Sequence, residues 1–118
     1  MKTLLTLAIA IIGGMIMGQD AKHIAILGSS TPEGVGASSK QNGWVGLYAK
    51  HLQSINPNHK VSNLARGGYT PDKLLPTGDP KRNITQAINL GADIIIVNLP
   101  LGIGARKHLD PESFLKAY

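Results

Sequence analysis

The run Asp93-Ile94-Ile95-Ile96-Val97-Asn98-Leu99 limits the fold of this chain more than any other feature. Consecutive β-branched residues restrict χ1 and favour extended backbone. The run does not alternate apolar with polar, so it predicts a strand covered on both faces, as in the middle of a parallel sheet. Parallel neighbours need crossover connections, usually helical, and the preceding sequence supplies them. Residues 23–27 form a short apolar run ending at Gly28, and residues 60–64 a second strand ending at Ala65-Arg66-Gly67-Gly68. Between them Trp44, Val45, Leu47, Tyr48, His51, Leu52 and Ile55 recur at helical spacing, and Asn56-Pro57-Asn58 stops the helix. Residues 83–90 predict another helix, with Ile84, Ala87 and Ile88 on one face and Gly91 as its stop. Pro71, Pro76, Gly78 and Pro80 make residues 69–80 a loop with one helical turn. Asp110-Pro111-Glu112 opens a third helix, with Asp110 as N-cap and Pro111 at the first helical position. Strand and helix alternate throughout, which implies an α/β fold with a doubly wound parallel sheet.

The 118 residues allow one domain. Lys2 followed by apolar residues up to Met17, then Gly18-Gln19-Asp20-Ala21, reads as a secretory signal peptide over residues 1–18. Its apolar stretch falls short of the roughly 20 residues that span a bilayer. Cleavage after Gly18 would leave residues 19–118 as the mature domain, secreted or periplasmic, with no stable membrane anchor. The chain has no cysteine, which excludes a disulfide framework and thiolate metal sites. The net charge is +5, but the basic residues are scattered, with no run longer than two and no interleaved aromatics, so nucleic acid is not expected as a partner.

In open α/β sheets, ligands bind beyond the carboxyl ends of the strands. The first such loop is Gly28-Ser29-Ser30-Thr31. A serine at a strand-to-loop turn can present its hydroxyl to the crevice, as a nucleophile requires. A phosphate cradle is the competing reading, but no Gly-Lys-Ser/Thr end follows. Gly34-Val35-Gly36-Ala37-Ser38-Ser39 also lacks the last glycine of the dinucleotide pattern. On this loop alone a plain serine-rich turn remains a third reading. The second loop is Asn63-Leu64-Ala65-Arg66-Gly67-Gly68-Tyr69-Thr70, whose glycine pair exposes backbone N–H groups able to stabilise an oxyanion. The third is Asn98-Leu99-Pro100-Leu101-Gly102-Ile103-Gly104, uninformative by itself.

As an ordered set, these loops resemble the blocks of the SGNH/GDSL hydrolases over most of residues 22–100. Leu27-Gly28-Ser29-Ser30-Thr31, with Gly34, Gly36, Trp44 and Gln53-Ser54-Ile55-Asn56-Pro57 behind it, is similar to a secreted bacterial branch in which Ser commonly replaces the first block's Asp. The resemblance implies a flavodoxin-like three-layer αβα sheet. It also implies Ser30 as the catalytic nucleophile and an oxyanion hole from the backbone N–H groups of Ser30 and Gly68. The implied substrates are acyl or acetyl esters, small or borne on carbohydrates, with no cofactor and no metal.

Two departures weaken the implied chemistry. The family's oxyanion Asn would fall at Gly102, and Asn98 lies four residues early. The family's Asp-x-x-His block has no counterpart: His108-Leu109-Asp110 has the wrong order and spacing, and His23, His51 and His59 match no family position. The resemblance therefore implies a partial domain, weakly active or inactive. A non-catalytic module that keeps the crevice for glycan or acyl ligands is the alternative. A nucleotide- or phosphate-binding domain is a third reading, carried only by the first loop.

Overall fold

The computed structural model describes residues 20–99 together with Glu112 and Lys116. The signal-peptide assignment and the block-three residues from Pro100 onward, Gly102 and His108 among them, lie outside the described residues. So does the rest of the third helix, in which Glu112 and Lys116 are both helical and exposed.

Three strands, β1 (His23–Gly28), β2 (Lys60–Asn63) and β3 (Ile94–Asn98), pair in parallel in the order β2-β1-β3. Register sets Ile24 against Val61 and Ile94, and Ala25 against Ser62 and Ile95. The chain steps from β1 to β2 on one side, then crosses back over β1 to reach β3. Crossovers share one hand, so reversing direction puts the two connections on opposite faces. Among residues 20–99 the helices follow in chain order as α1 (Ser30–Glu33), α2 (Trp44–Ile55), α3 (Pro71–Leu74) and α4 (Ile84–Asn89). A 3-10 turn over Lys40–Asn42 precedes α2.

The two faces of β1 bury separate clusters, as alternating side chains require. Ile24 and Ile26 pack with Val45, Tyr48 and Leu52 of α2. Ala25 and Leu27 pack with Leu74 of α3 and with Ile84 and Ala87 of α4. The result is a three-layer α/β arrangement with β1 as its buried axis; residues 24–28 are all buried. Asn83 caps α4, its side chain accepting from Gln86 N at 2.9 Å while its amide donates to the Pro76 carbonyl at 3.2 Å. Gly91 follows in the left-handed region, at φ 75°.

Two sequence expectations need correction. The run 94–97 is not covered on both faces: Ile94 and Val97 stand 46 % and 50 % exposed, and β3 pairs with β1 alone among the described strands. A run without alternation reports apolar character on both faces, and it cannot say how many neighbours the strand has. Ile88 of α4 is likewise 62 % exposed rather than part of the buried face, because the helix is six residues long and turns only Ile84 and Ala87 to the sheet.

An apolar, half-exposed strand edge is a template for pairing with another chain, and an edge lysine blocks such pairing. Ile94→Lys is therefore expected to reduce concentration-dependent self-association while leaving the unfolding midpoint nearly unchanged. Sedimentation velocity over a concentration series, with urea denaturation alongside, checks this.

Candidate active site

Gly28 ends β1 and fixes where both functional loops begin. A Cβ on Gly28 would stand 2.1 Å from the Asn98 carbonyl oxygen and 2.7 Å from Cγ of Pro32, so only glycine fits between β3 and α1. The β1–β2 ladder runs past the end of β2: Leu64 N donates to Ile26 O at 2.8 Å and Arg66 N to Gly28 O at 3.1 Å. On the other flank Ser29 N donates to Asn98 O at 3.3 Å. The two glycines after Arg66 therefore emerge level with the two serines after Gly28. Both loops leave the carboxyl ends of their strands, the end of an open α/β sheet at which ligands bind, and the strand order reverses on the other flank of β1, beside β3.

Ser30 is the first residue of α1 and half-buried. Its carbonyl accepts from Gly34 N at 3.1 Å and Val35 N at 3.0 Å, closing the short helix, with Gly34 left-handed at φ 96°. The Ser30 Cβ lies 3.9 Å from the point a Cβ on Gly67 would occupy. Gly68, exposed at φ 81°, lies on the rim of an open hollow of about 520 Å³ lined by residues 66–70, Lys73 and residues 77–79. Ser30 is not part of that lining and stands across Gly67 from it.

Several side chains hold the second loop against the first. Glu33 accepts from Gly67 N at 2.5 Å and pairs with Lys40 at 3.7 Å. The Asn63 side chain donates to Pro32 O at 2.7 Å and accepts from Ala65 N at 3.1 Å. Arg82 donates to the carbonyls of Ala65 at 3.1 Å and Leu64 at 3.4 Å. The Tyr69 hydroxyl donates to Asp79, whose other oxygen accepts from Lys81 N at 2.9 Å. Glu33, Arg82 and Asp79 hold roles here that the loop motifs do not mark. The Asx-like Asp79-Pro80-Lys81 turn was the one local signal for any of them.

Ser29 is fully buried, and its Oγ has no hydrogen-bond partner. It sits at the N-cap of α1 without making a side-chain cap bond. A buried unpaired hydroxyl costs about 1–3 kcal/mol. Asn98 ends β3, with its carbonyl turned to Ser29. The histidines lie elsewhere. His23 opens β1 and its Nε2 bonds Ser62 Oγ at 2.8 Å. At roughly 3.3 Å per strand residue this is about 16 Å from the Ser30 end. His59 Nδ1 accepts from Lys22 N at 2.9 Å, and His51 is exposed on α2. His23 and His59 are thus half-buried structural partners rather than plain surface residues. No cluster of three metal-ligating side chains occurs among the described residues, and none of their helices is long and apolar enough to cross a membrane.

The architecture resembles that of a bacterial esterase. The esterase is the psychrotrophic EstA from Pseudoalteromonas sp., solved with monoethylphosphonate as inhibitor. It matches with a TM-score of 0.62 and 16 % sequence identity over 81 % of this chain and 49 % of its own. The chain thus spans about half the length of that esterase, and at this identity the likeness establishes the fold alone. No protein-family model and no curated protein matches the sequence.

Two stability measurements test the site's internal bonding. Ser29→Ala removes the unsatisfied hydroxyl without losing a cap, so it should stabilise by about 1 kcal/mol, read as a rise of roughly 4–8 °C in unfolding temperature. The Tyr69 hydroxyl, and after it Lys81 N, hold the Asp79 carboxyl below its ordinary value, while burial and then the Asp79 bond raise the Tyr69 phenol. A depressed carboxyl contributes stability above its unfolded value near 3.9, which is lost as pH falls through the lower folded value. Asp79→Asn should therefore be less stable than the parent at about pH 6, and the gap should close below about pH 4. Urea midpoints at both pH values check it.

Proposed function

We propose that this chain carries the serine-bearing half of an SGNH/GDSL-type ester-hydrolase site, with Ser30 as acyl acceptor and the backbone N–H groups of Ser30 and Gly68 as oxyanion donors. The observation that carries the reading is the placement of the Ser30 Cβ 3.9 Å from the Cβ position of Gly67, at the carboxyl ends of β1 and β2. That placement follows from β1 and β2 ending level. The ordered motifs of the three loops and the esterase-like fold support it.

In the proposed reaction the Ser30 hydroxyl oxygen bonds to the ester carbonyl carbon, and the carbonyl oxygen takes up negative charge facing the backbone amides. The ester C–O bond then breaks, the alcohol leaves with the proton that Ser30 gave up, and water hydrolyses the acyl-serine to release the acid. The substrates are acyl or acetyl esters, small or carried on carbohydrates. Export through residues 1–18, to the periplasm or outside the cell, belongs to the same proposal. Among the described residues no histidine stands near Ser30 to take its proton. Triad members act as a unit, and losing one costs roughly 10⁶ in rate in the best-studied case. Turnover should accordingly be slow.

The test is p-nitrophenyl acetate hydrolysis by the parent chain and by Ser30→Ala. The expected result is a slow, saturable rate in the parent that falls to the buffer background in the variant, with a phosphonate ester leaving its mass on the Ser30 peptide. Equal rates in both proteins and an unmodified Ser30 would refute the proposal. That no histidine stands near Ser30 among the described residues favours one second reading, a crevice that binds acyl or glycan ligands without turning them over. It predicts saturable calorimetric binding of acetylated glycans with no rate attributable to Ser30.

A further inference from the structure

The hollow beside Gly68 has a charge pattern that the ester chemistry does not use. Its lining carries two cations, Arg66 and Lys73, against one carboxylate, Asp79, with Asp72, Lys81 and Arg82 nearby in the chain but outside the lining. Both carboxylates are engaged. Asp79 accepts from the Tyr69 hydroxyl and from Lys81 N, and Asp72 accepts from Thr70 Oγ1. Arg82 is committed to the carbonyls of Leu64 and Ala65. Lys73 has only an exposed pair with Asp72 at 3.7 Å, of the kind that contributes little. Arg66 is exposed, lines the hollow next to Gly68 and forms no ion pair within 4.0 Å among the described residues, acting on Asp79 only at longer range.

The geometry points to a carboxylate subsite: the hollow takes a carboxylate group of the substrate, with Arg66 and Lys73 as its binding residues. A guanidinium binds a carboxylate through two parallel hydrogen bonds, and the ammonium adds a point charge. The volume of about 520 Å³ is in the range of small-molecule sites and admits a sugar-sized group. Since Gly68 lies on the rim and Ser30 stands across Gly67, the recognised carboxylate sits a few bonds from the ester carbonyl. The inference rests on the reading of Ser30 and Gly68 as the ester site. It narrows the substrate class to acidic esters, with the carboxylate on either the sugar or the acyl side.

The experiment is an amide-shift NMR titration of the full chain with a uronic acid trisaccharide, its neutral counterpart, a succinate monoester and the matching butyrate ester. Saturable shifts centred on Arg66, Gly68 and Gly78 are expected with at least one acidic ligand, about tenfold tighter than with its neutral partner and weakened by salt. Which acidic ligand binds identifies the side bearing the carboxylate. Arg66→Gln with Lys73→Gln should abolish that preference while amide dispersion elsewhere stays intact. Ser30→Ala should leave it unchanged. Equal binding of acidic and neutral ligands, or a preference that survives in the double variant, overturns the inference. Ser30-dependent turnover without acidic preference would sink this inference alone. Acidic preference without Ser30-dependent turnover would sink the hydrolase reading alone.

Discussion

The end of β1 is the point on which the molecule depends. There the backbone of Gly28 is in contact with both neighbours at once: its carbonyl accepts from Arg66 beyond β2, and its Cα faces the Asn98 carbonyl of β3 too closely for any side chain. A buried central strand satisfies its peptide groups only when flanked on both sides. That requirement brings the loops after β1 and β2 out at one level. The proximity of Ser30 to the glycine pair is therefore a property of strand pairing, not of the loops themselves.

The tip of the loop after β2, residues 66–68, is exposed, although Leu64, Ala65 and Tyr69 on either side of it are anchored in the core. It is held by polar contacts from three directions: Glu33 from α1, Asn63 from β2, and the Asp79 and Arg82 pair from the connection between α3 and α4. Polar bracing of this kind specifies direction as well as distance. It suits a loop whose backbone amides must point one way while its surface stays open to solvent.

Much of this architecture was legible in the sequence because periodicity and punctuation act locally. The helix Trp44–Ile55, its stop at Asn56, the helix ending before Gly91 and the strand beginning at Lys60 all follow from spacing and turn chemistry within a few residues. What could not be read were facts about neighbours. The apolar run at residues 94–97 looks the same at the centre of a sheet as at its edge, and the exposure of Ile88 depends on how α4 is rolled. In the site, Ser30 and Gly68 were marked by loop motifs. The braces were not, because Glu33 and Gly67 are 34 residues apart and no local pattern links them.

The Arg82 contact has a consequence for the order in which the molecule can assemble. Chains emerge from the ribosome N-terminus first, and structure can form as they do. All the residues that pair β1 with β2 lie at or before Arg66. The guanidinium that fixes the carbonyls of Leu64 and Ala65 arrives some sixteen residues later. Both loops are thus complete in sequence before the residue that braces them, and the crevice takes its final shape from a residue that never lines it.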